Sequence, residues 1–80
     1  MAFVYMLRCR DQSLYTGIAR DVQRRLKMHQ AGRGARYTAT RLPVELIWQR
    51  EMTTWSEAMR EERRIKRLSR ARKLQLLSTQ

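Results

Sequence analysis

The stretch from Thr54 to Lys66 constrains this chain most, because it reads as a helix that carries its own orientation. Thr54 can cap it, and Glu57 three residues later completes a capping box. At about 100° per residue, Trp55, Ala58, Met59 and Ile65 fall on one arc, so the rest of the chain must supply an apolar surface for that arc to cover. Glu62 lies near the middle of the same arc, while Glu57 and Glu61 point well away from it. A carboxylate on a buried face is costly unless it is paired or binds a metal. Partners are plentiful, with 18 Lys+Arg against 7 Asp+Glu. Glu62 is therefore either an arginine-paired or solvated side chain, or a carboxylate kept at the edge of the core for metal-assisted chemistry on phosphate.

The surface to be covered reads as a small sheet. Residues 3–9 are apolar and rich in β-formers, residues 11–13 read as a turn, and residues 14–18 as a second strand, together a hairpin. Gly17 inside a strand points to a close approach to the backbone. Asp21 suits the N-cap of a helix over residues 22–31 that stops at Gly32; Val22 and Leu26 mark its inner face. Residues 32–41 form a basic loop whose glycines predict mobility, punctuated by Pro43. Residues 45–52 read as a third strand, and Ser69 starts a last short helix through Leu74 and Leu77. The order β-β-α-β-α-α predicts an α+β fold: a small three-stranded antiparallel sheet flanked by helices, in one domain over residues 1–80 with one modest core.

A net charge of +11 predicts a polyanionic partner, with nucleic acid first because phosphate neutralisation releases counterions. An anionic membrane surface fits less well, since no helix combines a basic face with a broad apolar one. Cys9 is the only cysteine, which excludes an intrachain disulfide and a thiolate zinc site. Arg8 and Arg10 follow the first apolar run instead of preceding it, unlike a signal peptide, and no apolar stretch approaches the ~20 residues of a membrane span. The expectation is a cytoplasmic protein.

Two constellations carry chemistry. Tyr5 and Tyr15 lie on neighbouring strands. A three-residue hairpin loop puts them on one face and a two-residue loop on opposite faces, and packing is the common role of strand tyrosines. Arg25 and His29, four apart on the first helix, fall on one side. Arginine can clamp a phosphate oxygen and histidine can move a proton near neutral pH; the plain alternative is a solvated arginine and a half-buried histidine.

These residues together resemble the GIY-YIG nuclease superfamily, in its branch of small single-domain bacterial proteins. Val4-Tyr5-Met6 stands where the family has Gly-Ile-Tyr or a variant, and Tyr15-Thr16-Gly17 stands for Tyr-Ile-Gly. The run from Asp21 to His29 matches the helix with the family arginine. Gly32-Arg33-Gly34-Ala35-Arg36-Tyr37-Thr38 resembles a basic loop of the branch. The run from Glu57 to Lys66 matches the helix with the metal-binding glutamate, in a register that selects Glu62. Departures are Gln12 in place of a turn glycine, Ala19 in place of Thr or Ser, and the absence of any asparagine.

The resemblance implies a Mg²⁺- or Mn²⁺-dependent DNA endonuclease with low sequence specificity, using a single ion held by Glu62, since the acids are too few for a two-metal cluster. It implies Tyr5 as acceptor of the attacking water's proton, with Arg25, Lys66 or the metal favouring phenolate. Arg25 would stabilise the phosphorane, Tyr15 and Tyr37 would orient groups, and His29 would transfer protons or support Tyr5. Arg33, Arg36, Tyr37, Arg41, Lys66, Arg70 and Lys73 are the expected nucleic-acid contacts, on DNA before RNA. The alternatives are a non-catalytic DNA- or RNA-binding module on the same fold, and a small subunit of a larger repair assembly.

Overall fold

The computed structural model describes residues 1–79. Strands β1 (Ala2–Arg8), β2 (Leu14–Ala19) and β3 (Glu45–Met52) form one antiparallel sheet in the order β2-β1-β3. Helix α1 (Val22–Gln30) follows the hairpin, a one-turn helix α2 (Arg36–Ala39) interrupts the next loop, and α3 (Trp55–Lys66) and α4 (Arg70–Gln75) follow β3. A 3-10 turn (Leu76–Thr79) ends the described chain. The predicted α+β order stands, with α2 as an addition. Among the described residues, no helix is long and apolar enough to cross a membrane.

β1 is central and covered on both faces, which explains its unbroken apolar run. Its even residues Ala2, Val4 and Met6 pack with Trp48, Ala58 and Ile65, and Trp55, Leu76 and Leu77 close over that cluster. This is the face that the apolar arc of α3 was expected to cover. Its odd residues Tyr5 and Leu7, with Cys9 beyond the strand end, pack with Ala19, Val22 and Val44 under α1 and the loop before β3. Cys9 is a buried free thiol. The capping box of α3 is present, with the Thr54 hydroxyl accepting from the Glu57 N–H and the Glu57 carboxylate accepting from the Thr54 N–H.

The hairpin turn sits one residue earlier than predicted. The Cys9 N–H donates to the Ser13 carbonyl at 2.9 Å, so the loop is Arg10-Asp11-Gln12. Gln12 takes the positive φ of 72°, a position glycine fills more cheaply. The loop still has three residues, and parity is kept: Leu7 pairs with Tyr15 and Tyr5 with Gly17. Tyr5 and Tyr15 therefore share a face.

The segment between α1 and β3 departs from the expected mobile loop. Its glycines serve geometry instead. Gly32 takes a φ of 78° just after the helix, and Gly34 packs so closely that a Cβ there would run into the His29 ring. Thr38 is fully buried. The Gln30 amide brackets Val44, donating to its carbonyl at 2.5 Å and accepting from its N–H at 3.1 Å.

Candidate active site

Antiparallel register and helix periodicity bring the predicted groups to the β2 side of the sheet. Tyr5 is 1% exposed and His29 and Thr38 are 0% exposed. The Tyr5 hydroxyl lies 2.8 Å from His29 Nε2, and His29 Nδ1 lies 2.8 Å from Thr38 Oγ1. The single hydroxyl proton of Thr38 goes to the Ala35 carbonyl at 3.1 Å. Thr38 must therefore accept from His29, which puts the imidazole proton on Nδ1 and leaves Nε2 to accept from Tyr5. The result is a directed chain: Tyr5 donates to His29, His29 to Thr38 and Thr38 to the backbone.

Burial, and then the Arg25 guanidinium beside it, holds the His29 pKa below the ordinary histidine value. The imidazole is neutral at pH 7, as the chain of donors requires. Burial pushes the Tyr5 phenol up to about 12, against the opposing pull of Arg25; Tyr15 and Glu62 add to the rise. Of the cations expected to favour a phenolate, Arg25 is outweighed by desolvation, and Tyr5 rests as a neutral donor.

Gly17 is where the strand glycine was expected to admit something, and that something is Tyr5 itself. A Cβ at Gly17 would lie 2.6 Å from the Tyr5 hydroxyl oxygen and 3.1 Å from the Tyr15 ring. Tyr15 stands edge-on to His29 with ring centres 5.2 Å apart, and stacks on Tyr37 at 6.2 Å. Arg25 is half-buried and donates to the Gly34 carbonyl at 2.9 Å.

Glu61 and Glu62 correct the simple helical-wheel argument. Glu61 was expected to point away from the core, yet its side chain is 14% exposed against 21% for Glu62. Glu61 reaches toward β3, where Arg50 donates to it at 2.8 Å and Arg64 grips it with two bonds of 2.8 and 2.9 Å. Arg64 above all, then Arg50, hold the Glu61 pKa below the usual carboxylate range. Glu62, among the described residues, has one ion-pair partner, Lys66 at 3.3 Å, and it is close enough to Tyr5 to raise its pKa. Among the described residues no three His, Cys, Asp or Glu side chains gather as a metal cluster. One half-buried carboxylate, Glu62, within electrostatic reach of the Tyr5 phenol, fits a hard cation that keeps most of its waters and takes few ligands from the protein.

The predicted nucleic-acid contacts divide. Tyr37, Lys66 and Lys73 line one recess of about 260 Å³, which the predicted catalytic Tyr15 also borders. Arg33 and Arg36 are exposed on the loop around α2. Arg41 and Arg70 have structural partners. Arg41 lies 3.9 Å over the Tyr37 ring and pairs with Asp11 at 3.1 Å, and Arg70 donates to the Gln12 carbonyl at 2.7 Å. Sequence reasoning gave no role to Thr38, which sets the His29 tautomer. Its only signal was its place at the end of the Gly-rich loop.

The model of the GIY-YIG catalytic domain matches residues 1–75. The chain belongs to the GIY-YIG family. A UPF0213 protein of Oceanobacillus iheyensis is 51% identical over 78 residues, covering 98% of this chain and 91% of that one. A UPF0213 protein of Staphylococcus saprophyticus is 46% identical, covering 95% and 93%. The solution NMR structure of the UPF0213 protein BH0048 from Bacillus halodurans superimposes with a TM-score of 0.64 at 46% identity, covering all of this chain and 86% of that one. The GIY-YIG domain is a nuclease domain, and its nucleases are typically metal-dependent.

Proposed function

We propose that this GIY-YIG domain hydrolyses phosphodiester bonds of DNA with Mg²⁺ or Mn²⁺ and little sequence preference. The observation that carries this reading is the directed chain from Tyr5 through His29 to Thr38, ending beside Arg25 and within electrostatic reach of Glu62. Such a chain holds a protein together at some cost in buried polarity, and it is also what a proton transfer needs.

The Arg25 guanidinium has more N–H donors than its bond to Gly34 and its interaction with Tyr5 use, and the others bind the non-bridging oxygens of the scissile phosphate, where charge grows in the transition state. A water held between that phosphate and Tyr5 attacks phosphorus. Its proton passes to the Tyr5 oxygen as the phenol's own proton moves to His29 Nε2. The imidazolium so formed keeps its Nδ1–H on Thr38, and the P–O bond opposite the attacking oxygen breaks. Burial and Arg25 disfavour that imidazolium, so it returns the Nε2 proton to Tyr5, whose hydroxyl passes a proton on through solvent to the leaving oxygen and resets the site. A divalent ion on Glu62 would neutralise charge on the phosphate and the leaving oxygen. Tyr15 borders the site where it opens to solvent and orients the phosphate. Arg33, Arg36, Lys66 and Lys73 hold neighbouring phosphates.

A second reading is a nucleic-acid-binding module that does not cut. It draws on the Lys66 ammonium, which at 3.3 Å from Glu62 stands where a cation would bind. Supercoiled plasmid and branched DNA incubated with Mg²⁺ or EDTA separate the two. The hydrolytic reading expects Mg²⁺-dependent cutting that Glu62→Ala and Tyr5→Phe abolish. Cutting that survives Glu62→Ala contradicts the site, and tight, salt-sensitive binding by folded protein without cutting establishes the module.

A further inference from the structure

Arg25 also borders a second and larger recess, of about 520 Å³, between the end of β2, α1 and the start of α3. Ile18, Met28 and Trp55 form an apolar wall, and Arg20, Arg24 and Arg25 a cationic one. The volume is in the range of sites that hold small organic molecules. Asp21 is the one acid of the lining, and its Oδ1 is turned to the Arg24 backbone N–H as the cap of α1. The Arg24 side chain has no hydrogen bond or ion pair among the described residues. The Arg20 guanidinium lies 4.9 Å over the Trp55 ring, already forming a flat π-faced step.

Arg20 donates to the Met1 carbonyl at 3.4 Å and Arg25 to that of Gly34, but among the described residues none of the three arginines pairs with a carboxylate. A flat apolar surface beside such guanidinium groups matches the two halves of a nucleotide. A base stacks on indole and guanidinium planes, and a phosphate takes two donors from an arginine. The two recesses lie at opposite ends of one strand: Leu14, Tyr15 and Thr16 line the smaller, Ile18 and Ala19 the larger. Arg25 belongs both to the larger recess and to the Tyr5–His29 site, so a phosphate held there leads directly into it.

We propose that this recess binds the nucleotide next to the scissile phosphodiester, its base against Trp55 and Met28 and its phosphate between Arg20 and Arg24. The strand then follows β2 from the Lys66–Lys73 recess, past Tyr15, to Trp55. The proposal rests on the nucleic-acid reading above and adds Arg20, Arg24 and Trp55, none of which the family motifs single out.

The test titrates a fluorescein-labelled 20-nucleotide DNA strand into full-length protein in EDTA, reading anisotropy and tryptophan emission together. Trp48 is 2% exposed, so an emission change reports Trp55. The expected result is quenching on binding that Trp55→Phe removes. Arg24→Gln should weaken binding about tenfold, well beyond the loss in Arg10→Gln, which removes the same charge from the hairpin turn. Binding without any emission change, or equal losses in Arg24→Gln and Arg10→Gln, overturns the recess. The readouts also separate the two proposals. Quenching and Arg24 dependence without metal-dependent cutting leave the recess standing and remove the nuclease. Glu62-dependent cutting with binding indifferent to Arg24 and Trp55 removes the recess alone.

Discussion

The two flanks of the sheet use charge in opposite ways. On the β3 flank, ions pair with ions: Glu61 with Arg50 and Arg64, and Glu45 with Arg8. On the β2 flank, among the described residues, Arg25 donates to a backbone carbonyl, the Arg24 side chain has no partner, and Glu62 has a single lysine. Two adjacent glutamates on one helix fall on different sides of this divide. Pairing that completes itself within the chain contributes to the fold. Cations left in excess around buried phenol and imidazole groups are what the proposed phosphate-binding role requires.

The largest expected effect lies on the β2 flank and is on activity. Tyr5→Phe removes one hydroxyl and the donor to His29; cleavage should fall by about 10²–10⁴-fold, while the buried Nε2 left without a donor should cost about 1–3 kcal/mol of stability. A Tyr5→Phe protein that cuts at the wild-type rate would transfer the base role to Tyr15. Next comes Gly34→Ala, which drives a methyl group into the His29 ring. Overpacking of this kind should cost about 1–3 kcal/mol in denaturant unfolding and abolish activity with it. An unchanged unfolding midpoint would mean the loop yields more easily than its packing implies.

Acidity tests the same flank. His29 takes up a proton near its ordinary value of 6.5 when unfolded but only at lower pH when folded. The unfolded state then binds more protons below about pH 6.5, and stability falls as pH drops through that range. Cleavage should fade over the same range, because a protonated His29 cannot accept from Tyr5. At the other extreme the Tyr5 phenol, raised to about 12 from 10.0, keeps its proton in the fold after the unfolded chain has lost it. Stability should decline as pH rises from 10 toward 12, and Tyr5→Phe should remove that decline. The smallest effect belongs to the β3 flank: Arg50→Ala should cost about 0.2–1 kcal/mol of stability and leave cleavage intact. A loss of cleavage there would erase the distinction between the flanks.

Much of this architecture was legible in the sequence because its signals are local. The capping box at Thr54, the Asp21 cap and the apolar run of β1 each depend on residues within one turn or strand. Tyr5 and Tyr15 required one more fact, the parity of the hairpin loop, and a turn displaced by one residue still preserved it. The reversed ranking of Glu61 and Glu62 in burial was not legible. A helical wheel gives direction around one axis and says nothing of how far β3 extends to meet Glu61. Thr38 and Gly34 escaped for a related reason: their roles exist only once the loop folds back onto His29, nine and five residues earlier in the chain. The raised phenol of Tyr5 escaped because nearby cations can be read from a sequence and desolvation cannot.

The claim that the two flanks divide structure from chemistry is tested most directly by one paired measurement: the rate of plasmid nicking in Mg²⁺ by Glu61→Gln and Glu62→Gln proteins, compared at equal folded concentration. The account predicts near wild-type nicking for Glu61→Gln, with a slightly lowered melting temperature, and nicking at background for Glu62→Gln, with melting unchanged. Equal rates for the two, or the reverse order, would contradict it.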